Sequence, residues 1–153
     1  MFGSMKELVE AAGSGSIAQA AKEEQASQNH SEIAHQVERM RQALRVMRES
    51  SEDGLTPGRR SMSGLTGGGA IRLFAHAENA VSGPVMGRAI ARALSVAECN
   101  ACMGKIVAAP TAGACGILPA ALLTMQETRG CTDDQLVDAL FTAAAVGDVI
   151  ATR

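Results

Sequence analysis

Residues 33–47 read IAHQVERMRQALRVM. Ile33, Val37, Met40, Leu44 and Met47 recur at alternating steps of four and three, the spacing of one stripe along a helix and not the two-residue period of a strand. On and beside that stretch Glu32, Glu38, Arg39, Arg41, Arg45 and Arg48 fill the other faces, which read as solvated or inter-subunit surface, solvation being the simpler reading. A long amphipathic helix is therefore the first element predicted, and it sets an all-α expectation for its surroundings.

Working outward, Ser4 with Glu7 three residues later marks a helix start, and Leu8, Val9 and Ala12 form a short apolar face before Gly13. Ser16 with Gln19 repeats the signature ahead of a polar, Ala-rich stretch. Downstream, residues 49–69 (ESSEDGLTPGRRSMSGLTGGG) lose all apolar periodicity and predict a long loop. Gly67, Gly68 and Gly69 would let backbone approach a ligand closely there, or serve only as a flexible linker. Ile71, Leu73, Phe74 and Ala77 predict a brief helix ending near Ser82-Gly83-Pro84. Met86, Ile90, Ala93, Leu94 and Ala97 predict another that runs towards Met103. Ile106–Ala109 reads as a short extended segment before Pro110, and Ile117–Glu127 as an apolar helix that accepts Pro119 in its first turn. Thr132 with Gln135 caps a final helix through Leu136, Leu140, Phe141, Ala144 and Val149. Beta signals are sparse and no internal repeat is found.

Composition narrows the function. The 153 residues, 46% hydrophobic and 20% charged, suit one globular domain with a packed core. Aromatics amount to 2% (Phe2, Phe74 and Phe141), too few for a stacking platform, and a net charge of -2 offers no footprint for nucleic acid or anionic membranes. The uncharged run Ile106–Gln126 is about as long as a membrane span, but Pro110, Gly113, Gly116 and Pro119 interrupt it, so it is read as buried. The N-terminus lacks a secretory pattern, which points to a cytoplasmic protein whose Cys99, Cys102, Cys115 and Cys131 are thiols.

The sharpest local motif is APTAGACGILPA, residues 109–120. Its Gly-containing turn delivers backbone N–H groups to the start of an apolar helix, where an anion can bind. A carboxylate or phosphate would sit against Thr111, Gly113, Ala114, Cys115 and Gly116; the bland alternative is a tight turn into a buried helix. Cys99 and Cys102, one turn apart, supply half a metal site at most, since His30 and His35 lie far upstream, so no metal ligand is assigned and the cysteines read as small core residues. His76 and the serines Ser61, Ser63 and Ser82 have no nucleophile-elbow context and read as structural.

These motifs together resemble the alpha chain of iron-sulfur-dependent L-serine dehydratase. The likeness runs from MF-x-x-x-KEL (Met1–Leu8) through GLTGG (Gly64–Gly68), SGP (Ser82–Pro84), AE-x-NA (Ala97–Ala101) and MGKIVAAPTAGACGILPA from Met103 to FTAAAVG (Phe141–Gly147). The resemblance implies an all-α catalytic domain that converts L-serine to pyruvate and ammonia. It implies a [4Fe-4S] cluster whose open iron acts as a Lewis acid on the substrate hydroxyl while a base takes the α proton. It also implies that the carboxylate of L-serine is held at Thr111–Gly116, and that Asn100 and Thr66 face the same cavity. Partners implied are the small-molecule substrate and a separate beta chain or a second copy in a homo-oligomer.

Departures from the pattern carry expectations of their own. Chains of this family continue into a Gly-Gly-Cys-Gln motif and a later cysteine pair that hold the cluster, whereas this sequence closes at Asp148–Arg153. Residues 1–153 are thus expected to be the N-terminal part of a single helical domain, truncated, without cluster ligands and inactive alone. Gly69 stands where an acidic residue usually follows GLTGG. The alternative is a non-catalytic helical interaction module in which the 31–50 helix meets a partner through Arg41 or Arg45. A weaker reading is a metal-binding protein using Cys99 and Cys102 with Cys115 or Cys131.

Overall fold

The computed structural model describes residues 2–152, and among them all regular structure is helical. The elements are α1 (Met5–Ala12), α2 (Ile17–Gln28), α3 (Ile33–Gly54), α4 (Gly69–Ala75), α5 (Pro84–Ala101), α6 (Ile117–Arg129) and α7 (Asp133–Ala151), with a 3-10 turn at Ala77–Asn79. The all-α expectation holds. Two compact units form, one from residues up to Gln42 and from Thr132 onward, the other from Ala43–Cys131.

In the first unit the caps read from sequence set the helix starts. The Ser4 and Ser16 hydroxyls accept from the amides of Glu7 and Gln19, and Thr132 and Gln135 form a reciprocal capping box at α7. Glu7 reaches past Ser4 to accept from the Gly3 amide instead. Helix α2 packs on α7 and α1 on α2, burying Leu8, Ala18, Ala21, Leu136, Val137, Leu140, Phe141 and Val149. Each large side chain removed from water contributes about 1.5–3 kcal/mol, and the alanines let α2 approach the ring of Phe141. The Lys22 ammonium lies 5.7 Å from that ring's centroid and pairs with Asp138. Arg41 pairs with Asp134, so this part of the expected solvated face is tied down within the chain. The apolar face of α7 is buried except near Ile150.

In the second unit α5 is the central element, packed against α4, α6 and the 3-10 turn. Of the stripe expected to face the core, Met86, Ile90 and Ala97 face outward and Ala93 and Leu94 are half-buried. The buried residues are Gly87, Ala91, Ser95, Val96, Glu98 and Cys99. Backbones meet there. A methyl group at Gly54 or Gly116 would overlap the carbonyl oxygen of Ser95 or Ala93, and one at Gly87 would lie 2.7 Å from the Ala77 oxygen. Close crossings demand small residues on the facing side, which leaves the larger Met86 and Ile90 on the other.

The same crossing corrects the expected loop. Residues 49–54 continue α3, and the loop begins only at Leu55. Ser50 and Ser51 are buried, the first donating to the Met47 carbonyl (2.8 Å), the second sharing a hydrogen bond with Ser95 of α5 (3.0 Å). Their hydroxyls are satisfied inside the helix, so residues that look loop-like in sequence fill a tight helix contact. Arg92 joins the unit together: it donates to Ser51, pairs with Glu127 of α6 and lies 5.4 Å from the centroid of Phe74 on α4. Burial lowers its pKa, with Glu52 acting in opposition. On α6, Leu122 and Leu123 are buried while Ile117 and Met125 are exposed, and the larger exposed apolar surface falls instead at Leu73, Val81, Val85, Met86 and Ile90.

Candidate functional site

The motif at residues 109–120 folds into a turn that enters α6. The amide of Ala114 donates to both the carbonyl and the hydroxyl oxygen of Thr111 (3.2 Å each), and the amide of Ile117 donates to the Ala114 carbonyl. Thr111, Ala112 and Gly113 are exposed, whereas Cys115 and Gly116 are buried. Gly116, the residue preceding α6, packs on α5 at Ala93, and Pro119 is buried in the helix's first turn, where its missing N–H costs nothing. The Asn100 side chain, from the last turn of α5, donates to the Ala112 carbonyl at 3.4 Å. Two segments separated in sequence, AE-x-NA and APTAGACG, thus meet at one place.

Thr66 belongs to a second, self-contained loop. Its carbonyl accepts from the Ser61 amide (2.9 Å) and its own amide donates to the Ser61 hydroxyl (3.2 Å). Among the described residues no hydrogen bond joins it to Asn100 or the Thr111–Gly116 turn. At the end of this loop Gly68, in the left-handed conformation at φ 77°, precedes α4 and offers no capping side chain. The close approach expected at Gly67–Gly69 is made by the Glu98 carboxylate. It accepts from the amides of Gly68 (3.0 Å), Gly69 (2.8 Å) and Ala70 (3.3 Å), and Glu98 is only 4% exposed. Sequence reading passed over Glu98. The available signal was a lone acid within SVAECNA, a turn otherwise made of small residues.

Between them, Cys99 is fully buried and donates its thiol proton to Asp53 (3.1 Å), which also pairs with Arg59. Burial and the adjacent Asp53 carboxylate push the thiol from an ordinary value of 9.0 up to about 12. Burial raises the Cys115 thiol too, while Cys102 and Cys131 are half-buried. His76 is exposed at the end of α4, its Nδ1 2.9 Å from the Arg72 carbonyl.

With this geometry in place, comparison with known proteins is decisive: the family model for the serine dehydratase alpha chain matches residues 5–153. The chain belongs to the serine dehydratase alpha chain family. It is 36% identical over 159 residues to the probable L-serine dehydratase, alpha chain, of Bacillus subtilis (strain 168), covering 100% of this chain and 52% of that protein. It is 32% identical over 130 residues to the L-serine dehydratase, alpha chain, of Peptoniphilus asaccharolyticus, covering 84% of this chain and 44% of that one. The chain thus spans about half the length of the curated relatives it matches. No solved structure matches it. No helix among the described residues is long and apolar enough to cross a membrane.

Among the described residues the cysteines of this chain do not form a ligand set for the cluster that the resemblance implies. No set of three or more His, Cys, Asp or Glu side chains among the described residues converges on a metal position. Cys99 is turned into the core, where its thiol donates to Asp53.

Proposed function

We propose that this chain is the substrate-holding part of an L-serine dehydratase, the lyase that converts L-serine to pyruvate and ammonia. The observation that supports it most is the hydrogen bond from Asn100 to Ala112, which joins two family motifs at an exposed helix entrance. The substrate carboxylate would sit against the amides of Gly113, Cys115 and Gly116, beside Ala114 whose own amide is engaged by Thr111, favoured by the partial positive charge at the start of α6. Thr111 already accepts from Ala114 through its oxygen, which leaves its hydroxyl proton to donate to the same carboxylate. Asn100 sets the orientation of the turn, and Thr66, on the separate glycine loop, is assigned to the same site by the family resemblance alone.

Such a site fixes the α carbon of L-serine and leaves both the hydroxyl and the α proton accessible to the rest of the enzyme. Loss of water gives aminoacrylate, which tautomerises to the imine and takes up water to release ammonia and pyruvate. The chain's own share is binding and orientation. We further propose a [4Fe-4S] cluster held by the remainder of the enzyme, a cytoplasmic setting, and completion by a separate beta chain or a second copy.

Calorimetric titration of the chain with L-serine tests the reading. Affinity on the order of millimolar is expected, and Thr111→Val should weaken it about tenfold, the effect of one lost hydrogen bond to a charged group. The chain alone, reconstituted anaerobically with iron and sulfide, should give no pyruvate. Unchanged affinity in Thr111→Val would overturn the carboxylate site, and pyruvate formation would overturn the division of labour.

A further inference from the structure

Glu98 is the one acid among the described residues that is buried. A carboxylate withdrawn from water persists only where donors replace its hydration. Here the donors are the first amides of α4, which has seven residues and a glycine before it in place of a capping side chain. Helix starts are ordinarily capped by a residue next in sequence. This cap comes from a residue 30 positions downstream, so the place of the glycine loop is set by α5.

The neighbouring residues of the same turn do the same for other segments. Cys99 holds Asp53, next to the start of the loop that contains Thr66, and Asn100 holds the Thr111–Gly116 turn at Ala112. Three consecutive residues at the end of α5 thus anchor the segments read as substrate-bearing, and α5 itself is pinned by the close crossings at Gly54, Gly87 and Gly116. Both Glu98 oxygens are engaged with the loop amides, so Glu98 acts through the loop and not on the substrate.

We propose that Glu98 is a positioning residue of the L-serine site: its carboxylate fixes the Gly64–Gly68 loop, and with it Thr66, in one arrangement relative to Asn100 and the Thr111–Gly116 turn. This rests on the substrate reading given above. Two variants reach the same contact from opposite sides. Glu98→Gln keeps the shape but turns one acceptor into a donor facing backbone N–H groups. Gly69→Ala keeps the charge and places a methyl group 2.8 Å from Glu98 Oε1, which displaces the carboxylate.

The test measures amide hydrogen exchange and L-serine affinity on the full chain. In both variants the amides of Gly68, Gly69 and Ala70 should exchange faster while that of Phe141 does not change. The Kd for L-serine should rise about tenfold, as expected if the loop is in place in roughly a tenth of molecules. The double variant should be no weaker than either single one, because both break one contact. Should Glu98→Gln fail to fold, Gly69→Ala alone carries the comparison. Unaltered L-serine affinity alongside faster loop exchange, exchange that does not change, or additive losses would each overturn the positioning role and leave the substrate reading standing. Absence of L-serine binding by the unaltered chain would overturn both.

Discussion

Cys99 shows how far one side chain's setting departs from what its residue type suggests. Buried against Gly104 and hydrogen-bonded to Asp53, it has its thiol pKa pushed up to about 12 from 9.0. The folded state holds this proton more tightly than the unfolded chain does. The resulting stabilisation is full below pH 9 and is lost as pH rises from 9 towards 12. Urea unfolding at pH 8 and at pH 11 should therefore show a larger loss of stability in the natural chain than in Cys99→Ala. At pH 8 a thiol reagent should label half-buried Cys102 and Cys131 well before buried Cys99 and Cys115. Equal labelling of Cys99 and Cys102 would contradict this environment. At the same scale the sequence makes Asn100 and Thr111 legible, because their motifs are contiguous strings. Glu98 is not legible, because its meaning lies in a contact with amides some 30 positions away.

Among the elements, helix starts were readable where a local side chain makes the cap: Ser4, Ser16 and Thr132 each accept from the amide three residues on. Helix faces and ends in the second unit were less so. The end of α3 and the inward face of α5 are decided by backbone crossings, which reward Gly, Ala and Ser, the residues that also compose loops. Hydrophobic periodicity favours Met86 and Ile90 and misses the Gly87, Ala91, Ser95 stripe. The distinction can be measured. Gly54→Ala and Gly116→Ala each push a methyl group into a backbone carbonyl of α5 and should cost about 2–3 kcal/mol in urea unfolding. Gly147→Ala on the exposed side of α7, where a methyl group meets nothing within 4 Å, should stabilise by about 0.5–1 kcal/mol. Similar effects at all three positions would refute the crossings.

At the scale of the molecule, membership of the serine dehydratase alpha chain family and the all-helical fold agree with each other and with the motifs that first suggested them. Among the described residues no set of three or more ligands converges, which leaves the metal-binding reading of the cysteines without a site. The interaction reading set Arg41 or Arg45 at a partner; within the chain Arg41 pairs with Asp134. What the second unit does bring together is a helix entrance, a glycine loop and the end of α5 that anchors both. The most direct measurement is an amide chemical-shift map of the labelled chain titrated with L-serine. Shifts should centre on Thr111–Gly116, with Asn100 and Thr66 responding and α1 and α2 silent. Shifts absent from Thr111–Gly116, or centred elsewhere, would contradict the substrate reading.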